Sequence, residues 1–180
     1  EDQRLLLGTS GVWALIDSAP DDVKVTVGAP DRMGLLALVA GLLSMHRLQV
    51  RAARVFTVED RAVQEWTVRP LYGDPPSVEV FVEELRRALD GAIDVGAKLA
   101  GREAAYVRPG ATYPALLYRV ASAVSAAGAS IQGAKVSTLG SEVIDVFFLT
   151  DRVGQPLSRD HADAVRVTVE ATLAESATVR

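Results

Sequence analysis

An internal repeat constrains this chain more than any other feature of its sequence. Shifted by 81 positions, Gly34–Val68 lies on Ala115–Leu149 without a gap. Leu35, Leu36, Val39, Ala40, Ser44, Ala53, Val55 and Thr57 fall on identical residues at Leu116, Leu117, Val120, Ala121, Ser125, Ala134, Val136 and Thr138. Around them Val50 meets Ile131, Arg54 meets Lys135, Trp66 meets Phe147 and Val68 meets Leu149, so apolar stays apolar and cation stays cation. Such a period is too long for a solenoid, whose repeats reach only about 50 residues. It suits two small domains in tandem, and 180 residues are enough for both.

In the first copy, Val23, Val25 and Val27 alternate with Lys24 and Thr26, the pattern of a half-buried strand. Gly28-Ala29-Pro30-Asp31 is read as its end, with Asp31 as N-cap of the following helix. Leu35, Leu38, Val39, Leu42, Leu43 and His46 then recur at helical spacing. A second strand covers 48–57, and Glu59-Asp60-Arg61 turns it into a third over 62–69. After the loop Gly73-Asp74-Pro75-Pro76, Ser77 caps a helix to Leu89, which Gly91 stops. Ile93, Val95 and Leu99 are read as a last strand. The order β-α-β-β-α-β is the ferredoxin-like plan, an antiparallel sheet with its helices on one face.

The second copy repeats a helix at 116–127, strands at 129–138 and 142–150, a turn at Asp151–Gly154 and a helix from Ser158 to about Leu173. Its first strand is expected near Ala104–Arg108 and its last near Ala177–Val179, both short. Either this copy is incomplete, or chain is missing near 108–112, where Arg108-Pro109-Gly110 abuts Ala111-Thr112-Tyr113. The expected organisation is an N-terminal extension over 1–20, a first domain over 21–100 and a second over 101–180. The fold class is α+β.

Charge and composition exclude several functions. Lys and Arg number 19 against 23 Asp and Glu, and the net charge of −4 argues against holding a polyanion by bulk charge. An RNA-binding sheet on this topology would need exposed aromatics, and Arg47, Arg51, Arg54 and Arg69 are poor support beside 6% aromatic residues. No apolar run approaches the ~18 residues of a membrane span. The acidic start is unlike a signal peptide, so the expected location is the cytoplasm, and the missing initiator Met points to a portion of a longer chain. Cysteine is absent, which removes disulfides, thiolate metal sites and a Cys nucleophile.

His46 and His161 lie 115 positions apart and carry no metal-ligand spacing. His46 reads as a helix-end residue, and His161 as a solvated one. Gly-x-x-x-x-Gly-Lys-Ser/Thr, Gly-x-Gly-x-x-Gly, His-Glu-x-x-His and Gly-x-Ser-x-Gly do not occur. Leu7-Gly8-Thr9-Ser10-Gly11 reads as a loop. The expectation is therefore a non-catalytic segment without metal or cofactor, whose function is binding. Trp66 and Phe147 read as core residues rather than stacking platforms.

The run Ala29-Pro30-Asp31-Arg32-Met33-Gly34-Leu35-Leu36, followed by Val39-Ala40 and by Val50-Arg51-Ala52-Ala53-Arg54-Val55, resembles the ACT domain. Met33 stands where the family's motif has Pro. Two later runs, Ala134-Lys135-Val136-Ser137-Thr138-Leu139-Gly140 and Asp145-Val146-Phe147-Phe148-Leu149-Thr150-Asp151, narrow the resemblance. They are similar to the C-terminal ACT pair of the bifunctional PII uridylyltransferase/uridylyl-removing enzymes. The loop Pro70-Leu71-Tyr72-Gly73-Asp74-Pro75-Pro76 resembles the actinobacterial branch. The resemblance covers roughly 21–173 and implies a sensor of glutamine, the nitrogen-status signal, that switches an attached nucleotidyltransferase between modifying the PII signalling protein and reversing that modification. In actinobacterial relatives it implies adenylyl rather than uridylyl transfer. The nucleotidyltransferase and metal-dependent removing motifs are not in this sequence.

The chemistry such a sensor needs is modest. A helix N-terminus offers unpaired N–H groups and partial positive charge to an amino-acid carboxylate. Gly34 permits close approach, and Asp31 is an acceptor for the ammonium group. The candidate ligand-binding residues are Asp31, Arg32, Met33, Gly34 and Leu35. In the second copy Thr112-Tyr113-Pro114-Ala115 replaces the motif, so one strong site or an asymmetric pair is expected between the copies. Two other readings remain: a stand-alone tandem-ACT regulator, or an interaction module that forms a homodimer through sheet edges.

Overall fold

The computed structural model describes residues 11–19, 22–58, 60–105, 116–139 and 142–178. In chain order they form β1 (Trp13–Ser18), β2 (Val23–Pro30), α1 (Leu35–Met45), β3 (Leu48–Val58), β4 (Arg61–Pro70), α2 (Val78–Leu89), α3 (Val95–Ala105), α4 (Leu116–Ala126), β5 (Ser130–Leu139), β6 (Glu142–Thr150) and α5 (Arg159–Thr178). The six strands make one antiparallel sheet in the order β1-β2-β4-β3-β5-β6. The α+β plan expected from the sequence is present, with the two copies merged into one sheet.

The merger has the symmetry of the repeat. β3 and β5 occupy equivalent positions in the two copies and pair antiparallel, with Ala53 opposite Val136, Arg54 opposite Lys135 and Val55 opposite Ala134. The first and last of these pairs exchange under the 81-residue shift, and Arg54 and Lys135 exchange with each other. The junction is thus a local two-fold within one chain, built like an isologous dimer contact. One apolar core runs beneath it, joining Val25, Leu42, Leu43, Trp66, Phe81 and Leu85 of the first half to Leu117, Ala121, Ala134 and Val136 of the second. A smaller cluster of Val124, Ala129 and Val165 lies under α5.

Three expected strands differ in the structure. Residues 95–105 are the helix α3, not a last strand. Val95 and Leu99 are four residues apart, a helical interval, and Asp94 caps the segment by accepting from the Ala97 N–H at 2.8 Å. The sheet position beside β2 is filled instead from the N-terminal side by β1, within the stretch expected to be an extension. Trp13 lies over Gly28, its cross-strand partner, where a Cβ would come within 2.2 Å of the indole. In the second copy, Ala104 and Ala105 end α3, while the remainder of the expected first strand and the suspected gap at 108–112 lie outside the described residues. The expected last strand near Ala177 is helical, because α5 runs on to Thr178.

The other elements match their local signals. The Ser77 hydroxyl accepts from the Val80 N–H at 3.4 Å, and Gly91 follows α2 at φ 74°. Asp151 closes its turn by accepting from the N–H groups of Val153 and Gln155. β2 continues through Gly28-Ala29 to Pro30, rather than breaking there. Proline stands at the last position of the strand, where a missing N–H is tolerated. α1 is apolar almost all round and nearly wholly buried, as expected of a helix enclosed by a sheet and its neighbours. Gly41 on α1 and Gly96 on α3 leave the space that the Tyr118 ring of α4 occupies.

Candidate functional site

The start of α1 lies where the two halves meet. Gly34 is its N-cap, at φ 85° and ψ −4°, in the left-handed region that glycine enters without penalty. No side chain caps the helix, and the first helical hydrogen bond runs from the Leu38 N–H to the Gly34 carbonyl. The Leu36 and Ala37 N–H groups precede that bond, so helix geometry leaves them without an intrahelical acceptor.

Asp31 does not perform the capping role expected of it. Its N–H donates to the Asp60 carbonyl at 2.8 Å, and its carboxylate accepts from the Thr57 hydroxyl at 3.1 Å. These bonds fasten the loop before α1 to the β3–β4 hairpin. The chain needs three more residues to turn from the strand into the helix, and Gly34 supplies the reversal. Arg32 reaches across to α2, where its guanidinium donates to the Leu89 carbonyl at 2.9 Å, a favourable place for a cation near a helix C-terminus.

Two spaces that share lining residues open at this helix start. The outer is a crevice of about 350 Å³ lined by Arg32, Gly34, Ala37 and Leu38 from the α1 region, Ala88, Leu89 and Gly91 at the end of α2, and Tyr118, Ser122 and Ser125 from α4. Its size is at the lower end of the range for small-molecule sites, ~300–1,000 Å³. The inner is a recess of about 10 Å³ between Asp31, Gly34, Leu36, Val55, Gln64, Ser125 and Ile131, among others. Arg32, Gly34 and Ser125 border both spaces. Of the five residues singled out in the sequence, Asp31, Arg32, Gly34 and Leu35 border the recess, and Met33 is not among the lining residues of either space.

Sequence reasoning missed Gln64. It belongs to the inward-facing set Ala62, Gln64, Trp66 and Val68 of β4, and is only 1% exposed. Its side-chain oxygen has no donor among the described residues. A lone amide within an otherwise apolar inward run was the available signal. The equivalent residue in the second half is Asp145, also inward-facing on β6, and its Oδ1 is likewise buried without a donor among the described residues. Burial raises the Asp145 carboxyl above the ordinary carboxylate range.

The two histidines are structural. His46 ends α1, as its sequence position indicated, and its Nε2–H donates to Glu84 of α2 at 2.5 Å. His161 is not merely solvated, because its Nε2–H donates to the Ala127 carbonyl at 2.8 Å. Trp66 is buried and Phe147 packs against the core, as expected. Among the described residues no group of His, Asp and Glu could hold a metal ion, and no helix is long and apolar enough to cross a membrane.

Comparison with known proteins agrees with the resemblance to the bifunctional uridylyltransferase/uridylyl-removing enzymes. No family model matches the chain. It is 34% identical to the bifunctional uridylyltransferase/uridylyl-removing enzyme of Streptomyces coelicolor, over 86% of this chain and 22% of the relative. The enzymes of the same name from Mycobacterium tuberculosis and Acinetobacter baylyi are 29% and 24% identical, over 75% and 88% of this chain. The chain spans about a fifth of the length of these relatives. It is a homologue of a segment of the bifunctional uridylyltransferase/uridylyl-removing enzymes.

Proposed function

We propose that this chain is a regulatory module that senses a free amino acid, glutamine, in the crevice between its two halves. The observation that carries this reading is the uncapped start of α1 opening on a crevice of about 350 Å³. The ligand carboxylate sits at the Leu36 and Ala37 N–H groups, where helix geometry and the macrodipole favour negative charge. Asp31 and Ser125 provide oxygens for the ammonium group. Both halves contribute to the lining, so a bound ligand couples α1 and α2 to α4. Ligand binding thus favours one arrangement of the halves over others, by as much as its affinity differs between them.

By homology with the uridylyltransferase/uridylyl-removing enzymes, the module acts on an attached nucleotidyltransferase, biasing it between modification of the PII protein and removal of that modification. A thermal-shift screen of the twenty amino acids against the 180-residue chain tests the sensing step. Glutamine at a hundred times its Kd should stabilise the fold by about 2.7 kcal/mol. An unmoved midpoint with all twenty would refute the reading.

A second reading, an interaction module, is favoured by the sheet face opposite the helices. Phe148 there is 64% exposed, beside exposed Ile144 and Val146 on β6 and Phe56 and Val58 on β3. The two functions use different faces and are compatible. Sedimentation across a concentration series tests for the homodimer that this face would support.

A further inference from the structure

The open face of the sheet carries charge of the opposite sign to the chain, whose net charge is −4. In the strand registers Lys24, Arg54, Arg61, Arg69 and Lys135 fall on this face, away from the helices. Its carboxylates among the described side chains are Asp17, opposite Lys24, and Glu65, opposite Arg54. Lys135 has no such neighbour: its cross-strand partners are Arg54 and Val146. Like charges directly opposite one another weaken a sheet. Both cations are exposed, and neither makes a hydrogen bond or ion pair among the described residues.

These two cations stand in apolar surroundings. Ile144, Val146 and Phe148 of β6 and Phe56 and Val58 of β3 flank them, all exposed. The Phe148 ring leans over β5, where a Cβ on Gly133 would stand 3.3 Å from its Cδ2. Clustered exposed apolar side chains mark an interaction site, and the cations between them specify what it takes. A second copy stacked here about the β3–β5 two-fold would set Arg54 and Lys135 against their own counterparts. A single-stranded nucleic acid would find two aromatic rings to stack on, but no use for the three aliphatic side chains. A protein segment with carboxylates between apolar side chains complements both the charge and the apolar surface.

We infer that the open face from β3 to β6 binds a partner protein through an acidic, apolar segment. A carboxylate of that segment lies between Arg54 and Lys135, and its apolar side chains cover Phe56, Val146 and Phe148. The inference rests on the reading of the chain as an interaction module and adds the chemistry of the partner. It leaves the crevice on the helix side untouched.

A displayed library of random short peptides, panned on the 180-residue chain, supplies the probe. Selected peptides should carry Asp or Glu beside Phe, Trp, Leu or Ile. In fluorescence anisotropy, the tightest of them should bind Phe148→Ser at least about tenfold more weakly. The double variant Arg54→Glu/Lys135→Glu should lose at least about the same factor. The same peptide with Lys in place of its carboxylates should bind that double variant again, which a misfolded chain could not do. Peptides that need Phe148 but ignore the charge reversal overturn the inference and leave the interaction-module reading intact. Self-association in sedimentation, lost in Phe148→Ser, gives the face to a second copy and also overturns it. So does an oligothymidylate that binds this face more tightly than any selected peptide. If no selected peptide depends on Phe148 and the chain does not self-associate, both the inference and the interaction-module reading fall.

Discussion

Gly41 presents a case in which two ordinary effects have opposite signs and the structure decides between them. It lies within α1, where alanine is favoured over glycine by about 0.8–1.0 kcal/mol on helix propensity. A Cβ there would stand 2.4 Å from Val95 Cγ1 on α3 and 2.9 Å from Tyr118 Cδ2 on α4. Carbon atoms in contact prefer ~3.5–4.0 Å, so α3 and α4 would both have to move, by about an ångström and half an ångström respectively. Val95 is 2% exposed and β-branched, so it has little freedom to rotate away. Overpacking of this kind costs about 1–3 kcal/mol, and contact on two sides puts Gly41→Ala in the upper part of that range. The net expectation is a loss of about 1–2 kcal/mol after the propensity gain. Urea unfolding should show the midpoint falling by about 0.5–1 M at an unchanged slope near 2 kcal/mol/M. Combining Gly41→Ala with Val95→Ala removes the nearer obstacle, and the two changes should couple favourably by about 0.5 kcal/mol or more. A midpoint at or above that of the unsubstituted chain would show that the helices at the seam are not packed as described.

Gly34→Ala addresses the helix start itself. Nothing lies within 4 Å of an added Cβ, so its cost is the left-handed conformation alone, about 1–2 kcal/mol by urea unfolding. Gly34→Asn should lose less, because asparagine enters that region more readily. Asp145→Asn tests the buried carboxyl. The folded chain holds Asp145 protonated to higher pH than the unfolded chain does, so its contribution is fully present below the unfolded value, about 3.9, and is lost as pH rises through the raised folded value. The variant should therefore melt above the unsubstituted chain near neutral pH, with the difference vanishing at about pH 3.5; a constant difference at all pH values would refute the account. His46→Ala and Glu84→Ala should each destabilise the α1–α2 contact, and a double-mutant cycle should give a coupling of about 0.5–1 kcal/mol for this half-buried pair.

Much of the fold was legible because its signals are local. The apolar period of 3.6 in 35–45, 78–89 and 116–126, the Ser77 cap and the Asp151 turn each act within a few residues. The repeat then showed that the unit occurs twice. What the sequence left undecided depends on distant partners. The reading of Val95 and Leu99 as a short strand fails because their interval of four suits a helix once the rest of the sheet is known. With the position beside β2 occupied by β1, the segment had no ladder to join, and Asp94 caps it as a helix. β1 was hard to read because both of its faces are covered: Ala14 packs inward while Trp13 lies over Gly28 on the other side, so no simple alternation marks it.

The candidate site divides in the same way. The sequence by itself determined that a glycine-bearing turn would begin an apolar helix, and that a cation at Arg54 would recur at Lys135. Only the tertiary structure decided that Asp31 would bind Thr57 rather than cap that helix, and that Arg32 would reach Leu89. It also decided that the β3–β5 ladder would set the α1 start against α4, with Gln64 buried behind the crevice they form. Helical and turn propensities are properties of neighbouring residues. The meeting of two sheet edges, and the burial of one amide where they meet, follow from chain segments some 80 residues apart.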